Sequence, residues 1–150
     1  MTISRLVGAL VLVSAVAAPV AAQERPAAGR IKISAGSAFI VRDGAQSPAQ
    51  VGQVVYESDG LRTGADGKVG VTLKDDTRLS LGPNSELKLE RFMFTPADSA
   101  FGMAVKFVKG AATYVSGRIA KLAPDAVKLE TPAAIIGVRG TTLAISVLEE

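Results

Sequence analysis

The sequence predicts an all-β domain, a single antiparallel-rich β-sandwich or roll of about ten short strands that follows an N-terminal signal peptide. Three observations predict this fold. From Arg30 onward, apolar residues recur at every second position, which is the period of a half-buried strand. Turn-forming Gly, Asp, Asn and Pro follow one another at short intervals. No window of a dozen residues carries the apolar stripe of a helix. A barrel or a short β-solenoid also fits this strand spacing.

The N-terminal segment predicts export. Met1–Arg5 carries positive charge, Leu6–Ala18 is apolar, and small residues precede the cleavage that we expect after Ala22. This order is typical of a secretory signal peptide. An uncleaved membrane anchor is the alternative, but the apolar run is shorter than the roughly 20 residues that cross a bilayer.

Cleavage defines three regions: a signal peptide at 1–22, a flexible lead-in at 23–29 and a β domain at 30–148. We expect the mature chain to be exported and to contain no membrane span.

Alternating apolar residues predict the strands in order. The clearest alternations run over Val69–Leu73, Leu79–Leu81, Leu87–Leu89, Met103–Phe107, Ala112–Tyr114, Val127–Thr131 and Leu143–Val147. Turns are expected at Asp43-Gly44 and Asp66-Gly67 with positive φ, and also at Asp75-Asp76 and at Gly82–Ser85.

Two irregularities interrupt this pattern. Leu87 and Leu89 share a face that Phe92 and Phe94 do not, which predicts a bulge near Arg91. Gly110 is expected to end one strand before the next begins. Farther along, the stretch 118–126 could hold one helical turn at most.

The composition excludes several kinds of catalysis. The 150 residues include no cysteine and no histidine, so disulfides, thiol nucleophiles, Ser-His-Asp triads and His/Cys zinc sites are impossible. Asp59, Asp66 and Asp76 do not have the spacing of a calcium loop. Asp75 and Asp76 are expected to face solvent in a turn. We therefore predict no catalytic residue, no metal site and no cofactor.

The charge does not favour nucleic acid as a partner. The net charge of +3 becomes +2 when Arg5 leaves with the signal peptide, and basic and acidic residues are interspersed. The simplest interpretation is that these charges occupy the solvent faces of amphipathic strands.

Three segments in order are more specific than any of these features. They are DGLRTG at Asp59–Gly64, DDTRL at Asp75–Leu79 and TPAAIIGVRGT at Thr131–Thr141. Together they resemble the FecR domain family of exported sensor domains, and the resemblance extends from about Arg30 to Val147.

The resemblance implies an all-β module that lies in the periplasm, with secretion as the alternative. Family members that act as anti-sigma regulators receive a signal from a TonB-dependent outer-membrane transporter and pass it through a transmembrane helix to a cytoplasmic sigma-binding segment. Here only five residues precede the apolar run, and no second hydrophobic span follows it. We therefore expect a free-standing exported FecR-domain protein that lacks the anti-sigma segment.

The family-motif residues are expected to be structural or to contact a partner. They are Asp59, Gly60, Arg62, Thr63, Gly64, Asp76, Thr131, Pro132, Gly137, Arg139, Gly140 and Thr141.

Individual roles follow from the residue types. Asp59 and Thr63 suit bonds to nearby backbone at a strand reversal, and Gly60 and Gly64 permit backbone angles closed to other residues. Pro132 excludes a helix.

The glycines and the arginine of the last motif have separate roles. Gly137 and Gly140 would let two backbones approach. Arg139 either pairs with a carboxylate such as Asp59 or Asp76 or is an exposed contact residue, and the structural pair is favoured because a lone buried charge is costly.

These observations favour a non-catalytic interaction or sensor module that binds an envelope protein, whose identity and oligomeric state the sequence does not indicate. One alternative is a module that binds peptidoglycan or another envelope polysaccharide, although its aromatic residues lie mostly at core positions. A more remote alternative is a hydrolase that uses two carboxylates.

Overall fold

The computed structural model describes residues 25–138 and 142–148, together with the isolated Ala17. These residues form twelve strands, one short helix and two 3-10 turns. The first six strands are β1 (Ala27–Ala35), β2 (Ala38–Arg42), β3 (Ala45–Pro48), β4 (Val54–Tyr56), β5 (Gly60–Thr63) and β6 (Lys68–Leu73). The others are β7 (Arg78–Leu81), β8 (Glu86–Thr95), β9 (Ala100–Val115), β10 (Val127–Glu130), β11 (Ile135–Gly137) and β12 (Thr142–Val147). The helix α1 spans Arg118–Leu122, and the 3-10 turns lie at Pro96–Asp98 and Pro124–Ala126.

All twelve strands belong to one hydrogen-bonded sheet whose two wings meet in β9. The first wing has the order β4-β1-β6-β7-β9-β12, and the second has the order β3-β2-β5-β8-β9-β10-β11. The pairings are antiparallel except that of β10 with β9, which is parallel. The predicted all-β, antiparallel-rich fold is therefore confirmed.

The apolar alternation is confirmed as the pattern of the core. Both wings contribute to one cluster of buried side chains, because each strand turns alternate residues inward. The largest fully buried members include Ile31, Leu79, Leu81, Leu87, Leu89, Phe107 and Tyr114. Leu143 and Val147 are half-buried against this cluster, on the same face of β12 as the buried Ile145.

The predicted bulge is also confirmed. The register of β8 against β9 shifts between Leu89 and Arg91. The extra residue restores the inward parity, so that Phe92 and Phe94 pack against the core from half-buried positions.

The expected break at Gly110 is wrong, because Gly110 lies within β9, a continuous strand of 16 residues. Gly110 instead has φ +82° and marks the point where β9 changes neighbours. Before it, β9 pairs with β8 and β10; from it onward, β9 pairs with β7 and β12. A positive φ lets the chain bend there without ending the strand.

The lead-in expected at 23–29 is shorter than predicted, because β1 already begins at Ala27. Ala28 is buried, and a Cβ on Gly29 would lie 2.8 Å from the Cα of Leu73. Ala27–Gly29 have small side chains without an apolar alternation, so the sequence pattern did not predict the start of β1, which packs closely against β6. The signal peptide lies outside the described residues, apart from Ala17.

One predicted turn is confirmed in its geometry and another is not. Asp43 and Gly44 both have positive φ and join β2 to β3. Asp66 and Gly67 lie in a turn, but neither has positive φ. Gly67 is instead required by space, since a Cβ there would lie 2.8 Å from the Cβ of Thr63.

Candidate functional site

Asp59 lies directly before β5, where it forms a buried ion pair with Arg42 of β2. Arg42 Nε donates to Asp59 Oδ1 at 3.0 Å, and Arg42 Nη2 donates to Asp59 Oδ2 at 2.8 Å. The backbone N–H of Tyr56 donates to the same Oδ2 at 2.8 Å. The hydrogen bond to Asp59 raises the pKa of Arg42 above its ordinary value, against the opposing effect of burial.

The arginine is itself fixed in place. Its Nη2 also donates to Val54 O at 3.1 Å, and its guanidinium lies 4.8 Å from the centre of the Tyr56 ring. The expected backbone bond of Asp59 is therefore present, but the main partner is an arginine that the sequence did not single out.

Thr63 joins β5 to the turn between β7 and β8. Its Oγ1 donates to Gly82 O at 2.6 Å and accepts from the Ser85 N–H at 2.9 Å. Ser85 Oγ in turn accepts from the N–H of Ala111 at 2.9 Å, beside the bend of β9 at Gly110. The predicted bonds of Thr63 to backbone at a strand reversal are therefore present, but this reversal lies about 20 residues away in sequence.

Asp75 is fully buried, so the expectation that it faces solvent is wrong. Its Oδ2 accepts from Thr77 Oγ1 at 2.7 Å and from the Ile119 N–H at 3.2 Å, and its Oδ1 accepts from the Thr77 N–H at 3.1 Å. These bonds hold the β6–β7 turn against α1. Asp76 does face solvent, with φ +70°.

Parity could have revealed these buried polar residues. Asp75 and Thr77 occupy the same alternate positions as Leu73 and Leu79, which are buried. An inward position with a polar residue then predicts a hydrogen-bonded turn rather than a solvated one.

Two further motif residues form more exposed ion pairs. Arg62 Nη2 lies 3.0 Å from Glu86 Oε1, and its Nη1 donates to Gln46 Oε1 at 3.0 Å. Asp76 Oδ2 lies 3.5 Å from Arg118 Nε. Such surface pairs contribute little to stability.

The described part of the third motif forms β11 and the turn that joins it to β10. The Ala134 N–H donates to Thr131 Oγ1 at 3.1 Å, and Pro132 is exposed in the turn. Thr131 and Pro132 line a shallow groove of about 550 Å³ that the end of β12 also borders. Gly137 is exposed at the end of β11.

Arg139, Gly140 and Thr141 lie outside the described residues. Among the described residues, Asp59 pairs with Arg42 and the exposed Asp76 pairs with Arg118, and neither observation tests a pairing with Arg139. The structural role of Arg139 therefore stays a prediction.

Three glycine expectations are corrected. Gly60 and Gly64 do not have positive φ. Gly64 is needed for space, since a Cβ there would lie 2.9 Å from the Cβ of Ser37. A Cβ on Gly137 would meet nothing within 4 Å, so no backbone of the described ranges lies against that side of the glycine.

Buried acidic groups in the described ranges serve the fold. The two buried carboxylates, Asp59 and Asp75, accept hydrogen bonds at both of their oxygens. Across the described part of the chain, no three acidic side chains converge in a way that could hold a metal ion. This arrangement organises turns, and it leaves no buried carboxylate of the described ranges without hydrogen-bond donors.

The aromatic side chains are divided between core and surface. Phe107 and Tyr114 are fully buried. Phe94 and Phe101 form a half-buried pair with ring centres 6.0 Å apart, and Arg118 covers the Phe94 ring at 4.7 Å. A sugar would have to displace Arg118 to stack on Phe94.

No helix within the described ranges has the length and apolar character needed to cross a membrane.

A protein-family model described as FecR protein matches residues 59–150. No curated protein and no solved structure matches the chain. The match begins at Asp59, later than the resemblance expected from about Arg30. The strands before it are nevertheless integral to the sheet, because β1 lies between β4 and β6 and β2 pairs with β5.

Proposed function

Since the chain belongs to the FecR protein family, we propose that it is an exported, non-catalytic sensor or interaction module that binds a protein partner in the periplasm. The observation that carries this proposal is the use of the family motifs inside the fold. Asp59, Thr63 and Asp75 are buried and hydrogen-bonded to their own chain. Binding is then left to the outer faces and edges of the sheet.

The absence of a free buried carboxylate in the described ranges supports a role in recognition. A hydrolase of the carboxylate type needs an acid and a base facing a bound substrate. Here the buried carboxylates are occupied by an arginine, a threonine and backbone N–H groups. An exported regulatory module requires no such pair, only a stable scaffold with an accessible surface.

Site-specific photo-crosslinking in the native envelope tests the proposal. A photoreactive residue would be placed at single exposed positions on each wing, and adducts would be identified by mass spectrometry after fractionation. We expect the chain in the periplasmic fraction and a reproducible protein adduct from one face only. An exported chain that yields no protein adduct at any position, or that sediments with purified peptidoglycan, would contradict the proposal.

A further inference from the structure

The outer face of β8, β9 and β10 carries a group of cations. Because inward residues such as Leu87, Val105 and Leu129 are buried, their neighbours in sequence point to solvent. Four of these outward residues are basic and exposed, and we call them the cationic face: Lys88, Arg91, Lys106 and Lys128.

The strand register brings these four side chains together. Lys88 lies opposite Lys106, and Arg91 lies opposite Ala104. On the other side, Ala104 lies opposite Lys128. Residues directly opposite on neighbouring strands have Cβ atoms roughly 5 Å apart, and diagonal neighbours are roughly 7–8 Å apart. The cations therefore surround the small side chain of Ala104.

These four cations form no ion pair in the described part of the chain, although Glu130 lies opposite Lys106 on β10. No carboxylate there lies within ion-pair distance of Lys88, Arg91, Lys106 or Lys128. By contrast, Arg42 and Arg62 are both paired. Two lysines directly opposite one another destabilise a sheet. Where a sequence breaks a local rule without a structural gain, the position is expected to serve function.

We propose that the cationic face is the docking surface for an acidic segment of a protein partner. This inference rests on the proposed function and adds the surface and the chemistry of its partner. The small side chain of Ala104 leaves the strand backbone low between the lysines, while the Arg91 guanidinium lies over Gly102 beside it. An extended segment can lie across the face at Ala104. Its carboxylates would then replace the missing intramolecular ion pairs.

Acidic residues beside the face favour a protein over a uniform polyanion. Glu90 lies at the bulge of β8, and Glu130 lies opposite Lys106 on β10. A membrane surface or a nucleic acid presents unbroken negative charge, which these glutamates repel. A polypeptide can place its own carboxylates over the lysines and neutral or basic residues over the glutamates.

Titration with defined peptides tests the docking surface. The probes are a synthetic peptide rich in Glu and Asp and a matched peptide with Gln and Asn, each added to the full chain and followed by NMR. We expect the acidic peptide to shift amide resonances of β8–β10, with an affinity that falls as salt rises, and the neutral peptide to shift none. Equal binding of both peptides, or no binding of either, would overturn the proposal.

Charge reversal provides the matched comparison. We expect Lys88→Glu/Lys128→Glu to weaken peptide binding by roughly tenfold or more, and Lys32→Glu/Lys121→Glu, with the same change of net charge elsewhere, to leave it within about twofold. Lys88→Glu by itself should not lower the melting temperature, because it faces Lys106. Equal losses in both double variants would indicate a nonspecific charge effect and refute the proposal.

Two further results separate this surface from the proposed function. Tighter binding to phosphatidylglycerol vesicles than to the acidic peptide at physiological salt would indicate that the partner of the cationic face is a membrane. This result would overturn the docking proposal. A protein adduct that forms in the envelope at other positions, without one at Lys106, would exclude this surface and leave the proposed function standing.

Discussion

Arg42 and Asp59 form a two-pronged ion pair, with distances of 3.0 Å and 2.8 Å, between the end of β2 and the turn before β5. Asp59 is the first residue of the region that matches the family, whereas Arg42 lies before that region. The matched part of the chain therefore depends on the preceding strands for the charge that balances its first residue.

Removal of this arginine should destabilise the domain. Arg42→Met leaves Asp59, which is only 1% exposed, with a backbone N–H and no counter-charge. We expect a loss of about 2–3 kcal/mol in the free energy of unfolding, measured by urea denaturation, since Arg42 itself is partly exposed. Arg25→Met is the control, because its pair with Asp43 is exposed at both ends and should contribute less than about 0.5 kcal/mol. Equal effects would contradict the prediction.

The hydroxyl of Thr63 should matter more than its shape. Thr63→Val keeps the volume but leaves Gly82 O without its donor and the Ser85 N–H without the hydroxyl acceptor. We expect a loss of about 1–3 kcal/mol in chemical denaturation. Thr72→Val, at a half-exposed position of β6, should change stability by less than about 0.5 kcal/mol. A Thr63→Val protein as stable as the parent would show that the network contributes nothing.

Alanine substitutions at two glycines with similar φ distinguish the cost of backbone strain from the cost of a steric clash. Gly110 has φ +82° and Gly44 has φ +78°. A Cβ at Gly110 would lie 2.6 Å from Asn84 O and would contact Ser85 Oγ, whereas one at Gly44 would meet nothing within 4 Å. We expect Gly44→Ala to cost about 1 kcal/mol and Gly110→Ala several times as much, up to loss of folding. Thermal melting of both variants makes the comparison, and similar melting temperatures would refute it.

Tyr114 should make the fold sensitive to alkali. Burial raises the pKa of Tyr114 above its ordinary value of 10.0, the nearby Asp75 acts in the same direction, and the neighbouring Ser116 opposes them. The folded state then holds the phenolic proton more tightly than the unfolded state does. This contribution to stability is complete below pH 10 and is lost as the pH rises through the raised pKa.

Urea denaturation between pH 8 and pH 11 measures this loss. Tyr114→Phe should show a shallower alkaline decline than the parent, independent of its stability at neutral pH. The chain has two tyrosines, so the phenolate absorbance of Tyr56→Phe reports Tyr114 alone. Ionisation of Tyr114 at or below pH 10 in the folded protein would be the contrary result.

Strand positions were predictable because alternation reports burial directly. Leu87 and Leu89 against Phe92 located the bulge near Arg91 to within two residues. Pairing partners were less predictable, since alternation says which face a residue occupies and not which strand lies beside it. The parallel pairing of β10 with β9 is one example, and the partnership of Arg42 with Asp59 across 17 residues is another.

The burial of the polar residue Asp75 was predicted wrongly for a different reason. Turn propensity placed Asp75 in solvent, but its parity with Leu73 places it inside, and the hydrogen bonds from Thr77 and Ile119 make burial tolerable. The bond from Ile119 is not visible from the local sequence, because this donor lies 44 positions away. The cationic face was likewise not predictable from the sequence, because its four residues come together only through the register of β8, β9 and β10.

The continuity of β9 has a consequence for how the domain opens. Its 16 residues hydrogen-bond to β8 and β10 in one wing and to β7 and β12 in the other. Neither wing can separate from the rest without breaking bonds to this strand. Amide hydrogens along β9 should therefore exchange with solvent only through global unfolding, while the outermost strands exchange through local fraying. The central strand is thus the slowest reporter of the whole domain, and one cooperative transition governs both wings.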